Sequence, residues 1–294
     1  MPRPATIIAD DYGIGPETSR GILELAVEGR VTGAVLIVNA PDAERAARAW
    51  IAADPPADLG WHANLTLDRP VLPPARVPSL VRPDGTFWPL GAFLLRVCLG
   101  RILLDDVRSE WTAQYRRFVE LVDQPPALVN SHQHVSLFPP CDSALLSVLR
   151  SENARPYLRR VVEFGTTLAR VPGARIKRTA LSVLGRRAAR RSAAHGFPGC
   201  ECLAGVTDPS RVADARFWDQ WLGELGNRRS VEVCCHPGYL DQTLIGRDCD
   251  DGDALLRRPR ETALMQSPSF RAALDRAGLV AVRPSALNSL AGGR

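Results

Sequence analysis

The side chains best suited to chemistry in this chain are five histidines and one acidic pair, and most of them directly follow short apolar runs. Asp10-Asp11 follows Thr6–Ala9, His62 follows Leu59–Trp61, His132 and His134 follow Ala127–Ser131, and His236 follows Val231–Cys235. Such runs read as buried strands, and in α/β proteins catalytic and binding groups collect just beyond the carboxyl ends of parallel strands. Two adjacent carboxylates at a strand end can divide labour, one binding a cation while the other holds a water or accepts its proton. One Asp and two His around an open coordination face suit a divalent metal that must also bind water and substrate. Such an ion lowers the pKa of a bound water from ~15.7 towards ~7 and polarises a carbonyl oxygen. His132 and His134 are two apart, so a strand continuing through them would present both on one face. Singly, each feature has a bland explanation: a turn for Asp-Asp-Tyr-Gly, a hydrogen-bonded structural role for a lone histidine. Together, four of the five histidines of a His-poor chain at strand ends point to one metal-dependent hydrolytic site.

The elements that would position these groups alternate strand and helix. Ala5–Ala9 is a short apolar strand; Pro16 opens a helix at its first turn and Gly29 closes it. Gly33–Asn39 reads as a strand buried on both faces, Pro41–Ala53 as an Ala-rich helix, and Leu59–His62 as the next strand. From residue 66 to 89 six prolines break the pattern around Asp84-Gly85, while Val71, Leu72, Val77, Leu80, Val81, Phe87 and Trp88 would pack it into an ordered loop. Helical period returns over Asp105–Val122, and strands follow at Ala127–Asn130, Val231–Cys235 and Leu279–Val282. The stretch from Arg155 to about Phe197 carries the weakest pattern and reads as an Arg-rich insertion. One α/β domain over 1–294 with a parallel sheet is expected, and active groups after at least four strands favour a distorted TIM-like β/α barrel over an open sheet.

The 294 residues suffice for a full core, and no apolar run approaches the ~20 residues of a membrane span. No signal peptide is visible, so a cytoplasmic location is the default expectation. The seven cysteines form no C-x-x-C and read as reduced core fillers. The net charge of +5 is local: Arg155–Arg191 holds eleven Lys/Arg against Glu163 alone, leaving the remainder at 5 − 10 = −5. No aromatics interleave with these arginines, which argues against single-stranded nucleic acid, and Arg175–Arg191 is expected to be an exposed helix without a catalytic part.

Four segments, IIADDYGIGPETSRGILE, DLGWHANLTLDRPVLP, NSHQHVSLFP and SVEVCCHPGYLDQTL, resemble the YdjC-like carbohydrate deacetylases in order and spacing. That family includes chitooligosaccharide deacetylase and hopanoid-biosynthesis-associated deacetylases. The resemblance implies a β/α-barrel-like deacetylase fold, a divalent metal (Mg2+ or Zn2+) and hydrolysis of an N-acetyl group on an amino sugar. Carried over by position, Asp10 is the general base, Asp11, His62 and His132 the metal ligands, and His236 the group that protonates the leaving amine or steadies the oxyanion. His134 is either a ligand or a residue orienting its neighbour. Ser136 stands where the family pattern S-H-x-H-x-H has a third histidine, and Trp61 where a smaller residue usually precedes the ligand; Trp61 should point away from His62 into the core.

The expected substrate is an N-acetylated sugar, with no nucleic-acid partner and a homodimer left open. The nearest rival is a metal-dependent hydrolase of another bond, a phosphoester or a cyclic amide, although the chain shows no Gly-rich phosphate loop. A two-His-one-carboxylate iron oxygenase would leave Asp10 and His236 without work, and a carbohydrate-binding relic would not need all five groups intact.

Overall fold

β1 (Arg3–Tyr12) is buried from Ala5 onward, and its apolar stretch Ile7-Ile8-Ala9 suits a strand with neighbours on both edges and cover on both faces. The computed structural model describes residues 2–291, with side chains to residue 287. Along the chain follow α1 (Pro16–Val27), β2 (Gly33–Leu36), α2 (Ala43–Ala53), β3 (Asp58–Ala63), α3 (Leu90–Cys98), α4 (Leu104–Val122), β4 (Leu128–Ser131), α5 (Cys141–Ser151) and β5 (Tyr157–Leu158). Then come α6 (Gly165–Arg170), α7 (Arg175–Ala194), β6 (Cys202–Ala204), α8 (Phe217–Gly223), β7 (Val231–Cys235), α9 (Asp253–Gln266), α10 (Pro268–Arg276), β8 (Leu279–Ala281) and α11 (Pro284–Ala291).

All described strand pairings are parallel, in the order β5-β4-β3-β2-β1-β7-β6. β8 pairs with Arg3–Ala5 of β1, below the stretch that pairs with β2. The sheet curls into a barrel that stays unclosed between its two edges. There, instead of a ladder, Leu158 donates to the carbonyl of Pro198 and Leu203 to that of Val162. The expected barrel is therefore a curled half-barrel, with every strand presenting its carboxyl end to one face. β3 approaches β4 closely because residue 60 is glycine: a Cβ there would meet the Leu128 carbonyl oxygen at 2.2 Å.

Helices pack on the outside of the curl. Tyr12 meets Trp50 of α2 edge to face, and Trp61, fully buried, meets Trp111 and Tyr115 of α4 at 6.4 and 6.0 Å. Strand alternation thus sends Trp61 to the core and His62 to the opposite side, as expected. The Pro-rich loop is tied down by Glu110 of α4, whose carboxylate accepts from the backbone N–H of Val71 and Leu72. Val77, Leu80 and Phe87 of that loop are buried, while the side chain of Val71 stays exposed.

Two expectations need correction. The chain does not continue as a strand through His132 and His134: β4 ends at Ser131, and residues 132–137 form a short 3-10 turn with Gln133 and His134 in the left-handed region (φ 52° and 57°). The Arg-rich helix is present as α7 but is not wholly exposed. Arg178 is buried, with Nε and Nη2 on the Glu163 carboxylate at 3.0–3.1 and 2.6 Å and Nη1 on the Val171 carbonyl.

Candidate metal and catalytic centre

Asp10 and Asp11 both reach the same cleft because β1 is irregular where they sit. Its pairing with β2 shifts register between Ala9 and Tyr12, and Asp11 has φ 68°. A bulge of this kind re-aims side chains that a regular strand would send to opposite faces. Both carboxylates are buried, 2% and 3% exposed, at the floor of a cleft that also carries His62, His132, His134 and His236. All the residues singled out from sequence therefore meet in one place.

Asp11 lies at the centre of a three-donor cluster. Its Oδ1 is 3.2 Å from Nε2 of His62 and 3.0 Å from Nδ1 of His132, and donor atoms of the three residues lie within 4.8 Å of one another. Its other oxygen, Oδ2, accepts from Nη2 of Arg258 at 2.9 Å, and the same nitrogen reaches Asp248 at 3.1 Å. One carboxylate oxygen thus faces the imidazoles while the other is held by a guanidinium. Burial alone would raise the Asp11 pKa, but Arg258 and the two histidines hold it well below the usual carboxylate range. His132 is pulled the other way: burial opposes its charge, yet Asp11 raises its pKa above the ordinary value.

Asn130 orients the second imidazole. Its Nδ2 donates to Asp10 Oδ1 at 3.0 Å, so its Oδ1 must be the atom facing His62 Nδ1. That contact puts the proton on Nδ1 and leaves the Nε2 lone pair towards Asp11, the tautomer a metal ligand requires. The donor set fits a divalent cation: one carboxylate oxygen and one nitrogen from each of two imidazoles on separate elements, all within 4.8 Å of one another.

Asp10 is held apart from this cluster by a different set of groups. Arg159 grips it in a fork, Nη1 to Oδ2 at 2.5 Å and Nη2 to Oδ1 at 2.8 Å, and turns its Nε to Glu232. Glu232 in turn accepts from the Tyr157 hydroxyl at 2.7 Å, and Cys234 Sγ lies 3.4 Å from Asp10 Oδ2. Burial pushes the Asp10 pKa up, but Arg159 more than reverses this and the carboxyl titrates well below its ordinary value. His236 Nε2 is 3.9 Å from Asp10 Oδ2, and the His236 backbone N–H donates to Glu261, which pairs with Arg257 of α9. Burial, and then Arg257, hold the His236 pKa well below the usual imidazole value, so it rests neutral.

His134 does not orient His132. Among the described residues its side chain makes no hydrogen bond, and burial with Arg159 nearby lowers its pKa to about 3. Several members of the centre were not singled out from sequence: Asn130, Arg159, Glu232, Cys234, Asp248 and Arg258. Asn130 lies inside N-S-H-Q-H and Glu232 is an acid in the middle of a buried strand, so both carried a signal. Lys177, the only lysine of the chain, reaches the cleft wall from α7 as an exposed side chain.

A curled parallel sheet with an Asp-His-His cluster and a separately tethered second aspartate at its carboxyl face defines an α/β protein with a hydrolase-like centre. The chain belongs to the family described as YdjC-like protein, whose model matches residues 5–276. It is 30% identical to a carbohydrate deacetylase of Mus musculus, over 93% of this chain and 91% of that protein. It is 29% identical to a carbohydrate deacetylase of Geobacillus stearothermophilus, over 95% and 96% of the two, and 29% identical to a chitooligosaccharide deacetylase of Klebsiella pneumoniae, over 84% and 86%. A crystal structure from Enterococcus faecalis, of a protein named for cellobiose-phosphate cleavage, has the same fold: TM-score 0.75 at 22% identity over 98% of this chain and 99% of that one.

Proposed function

We propose that this protein is a metal-dependent carbohydrate N-deacetylase that removes an acetyl group from an amino sugar. The observation that carries the reading is the division of labour between neighbouring carboxylates: Asp11 in the imidazole cluster, Asp10 in the Arg159 fork with His236 alongside. Relatives named carbohydrate deacetylase along nearly the whole chain support sugar deacetylation as the use of this centre.

Asp11, His62 and His132 would hold the cation. When bound, it supplies Lewis-acid polarisation of the acetamide carbonyl and of the attacking water. Asp10, kept ionised by Arg159, is the base that takes the water's proton as oxygen attacks the carbonyl carbon. The departing nitrogen needs a proton because an amine anion is not a viable leaving group. His236, neutral at rest and 3.9 Å from Asp10, is placed to receive that proton and pass it to the nitrogen, so one proton leaves water and arrives on the amine. Asn130 keeps His62 in its ligand tautomer and Asp10 in its place at once.

The test is acetate release from N-acetylated sugars by metal-loaded protein, against the same protein treated with chelator. Release that is lost with chelator and restored by divalent metal supports the reading. Hydrolysis of a phosphoester or a cyclic amide with no acetate from any N-acetyl sugar would replace it.

A further inference from the structure

A second cavity lies behind the cleft. Its lining is mixed: aliphatic side chains, Leu145, Leu146, Leu158 and Ala188 among them, alternate with polar and charged ones that include His134, Asp142, Arg159 and Arg191, and about 40 Å³ of it is open to a water-sized molecule. Ser131 and His134 line both this cavity and the cleft. At its far end Leu146 and Arg191 line both it and a surface hollow between α5 and α7 that also touches Arg150 and His195. Cleft, cavity and hollow therefore adjoin in that order, from the buried carboxylates to the surface between α5 and α7, each sharing two wall residues with the next.

We propose that this series is the exit route for the small carboxylate product, leaving the cleft mouth to the sugar. The inference rests on the deacetylase reading, and its logic is order. Asp10 and Asp11 lie at the floor of the cleft, so a sugar entering by the mouth presents its acetamide inward. After cleavage the acetate lies deeper than the amino sugar, which blocks the way it came.

The shared walls are built to give way. His134 sits on a left-handed turn with no side-chain hydrogen bond among the described residues, so a rotamer change opens the inner wall. At the outer wall Arg191 pairs with Asp142; the arginine side chain is 40% exposed and the aspartate 8%, so Arg191 can swing into solvent. Ser136, a short side chain, also lines the cavity. The aliphatic side chains suit the acetate methyl, while the Arg159 and Arg191 guanidiniums, paired at rest with Asp10 and Asp142, line the passage for its carboxylate.

Filling the cavity tests the route. Ala188→Phe on α7 and Leu146→Trp on α5 block it from two elements without touching the carboxylates or histidines. With an N-acetyl sugar substrate in rapid mixing, each filled variant should form about one equivalent of amine at the wild-type single-turnover rate. It should then turn over about tenfold more slowly, because release has become limiting. Arg191→Ala, which loosens the outer wall, should show no such burst. An intact single-turnover rate marks a folded variant, so a folding failure in one leaves the other to decide. Wild-type steady-state rates with no burst in a folded filled variant would overturn the exit route while leaving the deacetylase reading intact. Absence of any deacetylation by wild type would instead remove the reading on which it rests.

Discussion

Arg159 holds both oxygens of Asp10, Nη1 at 2.5 Å and Nη2 at 2.8 Å, and turns its remaining edge to Glu232. A bidentate fork of this kind fixes the carboxylate plane as well as its charge. Arg159→Met should release Asp10 upward in pKa, because the depressed value owes its direction to this guanidinium. The sign follows: a depressed native pKa contributes stability above the ordinary Asp value and loses it as pH falls through the native one, so the variant forfeits stability at neutral pH. With Glu232 also left buried without its cationic partner, only the Tyr157 hydroxyl remaining, the loss should be roughly 3–5 kcal/mol by denaturant unfolding. Adding Glu232→Gln should recover part of it. An unchanged unfolding midpoint would mean that the fork bears no load.

The Asp11 cluster makes a separate statement about metal content. His62→Ala and His132→Ala should each lose bound divalent metal, measured by elemental analysis of the purified protein. Asn130→Ala keeps all three donors but frees the His62 tautomer, and should weaken metal affinity by about 10–100-fold. Full occupancy in either histidine variant would contradict the ligand assignment.

Asp10→Asn separates base from ligand. It should retain metal and lose about 10²–10⁴ in turnover, the usual worth of one positioned base. An active variant that has lost its metal would exchange the roles of Asp10 and Asp11.

His236 should matter in proportion to how badly the leaving group needs a proton. His236→Ala should lose far more activity on an N-acetyl sugar than on an aryl acetate, by about the 10² lower bound for one general acid. Because the His236 pKa lies well below the ordinary imidazole value, the neutral form that accepts the relayed proton persists on acidification. With divalent metal saturating, so that the raised pKa of His132 does not cost a ligand, the wild-type rate should therefore hold as pH falls through ~6.5, where an unperturbed histidine would be half charged. Equal losses on both substrates would assign His236 to oxyanion stabilisation instead.

How much of this could be read from residues alone varies with how local the cause is. The placement of Asp10, Asp11, His62, His132 and His236 was legible because each closes an apolar run, and strand ends of a parallel sheet meet on one face. The S-H-Q-H geometry was misjudged, since only the backbone shows that β4 stops at Ser131 and turns left-handed at Gln133. Arg159 was hidden twice over, in a run where arginine is abundant and after a strand of two residues, too short to show a period. Asp248 and Arg258 come from a loop and a helix far along the chain, and nothing near them in sequence announces a partner at Asp11. The buried pair Arg178–Glu163 shows the same limit, because a charge run does not say which member turns inward.

The central claim is that this centre hydrolyses an acetamide on a sugar with the help of a divalent ion. Its most direct test is acetate released from a panel of N-acetylated amino sugars and oligosaccharides, followed with and without chelator and after metal is restored. The account predicts stoichiometric acetate and free amine from at least one sugar, abolished by chelator and recovered with metal. No acetate from any member of the panel by metal-loaded wild type, or release indifferent to chelator, would contradict it.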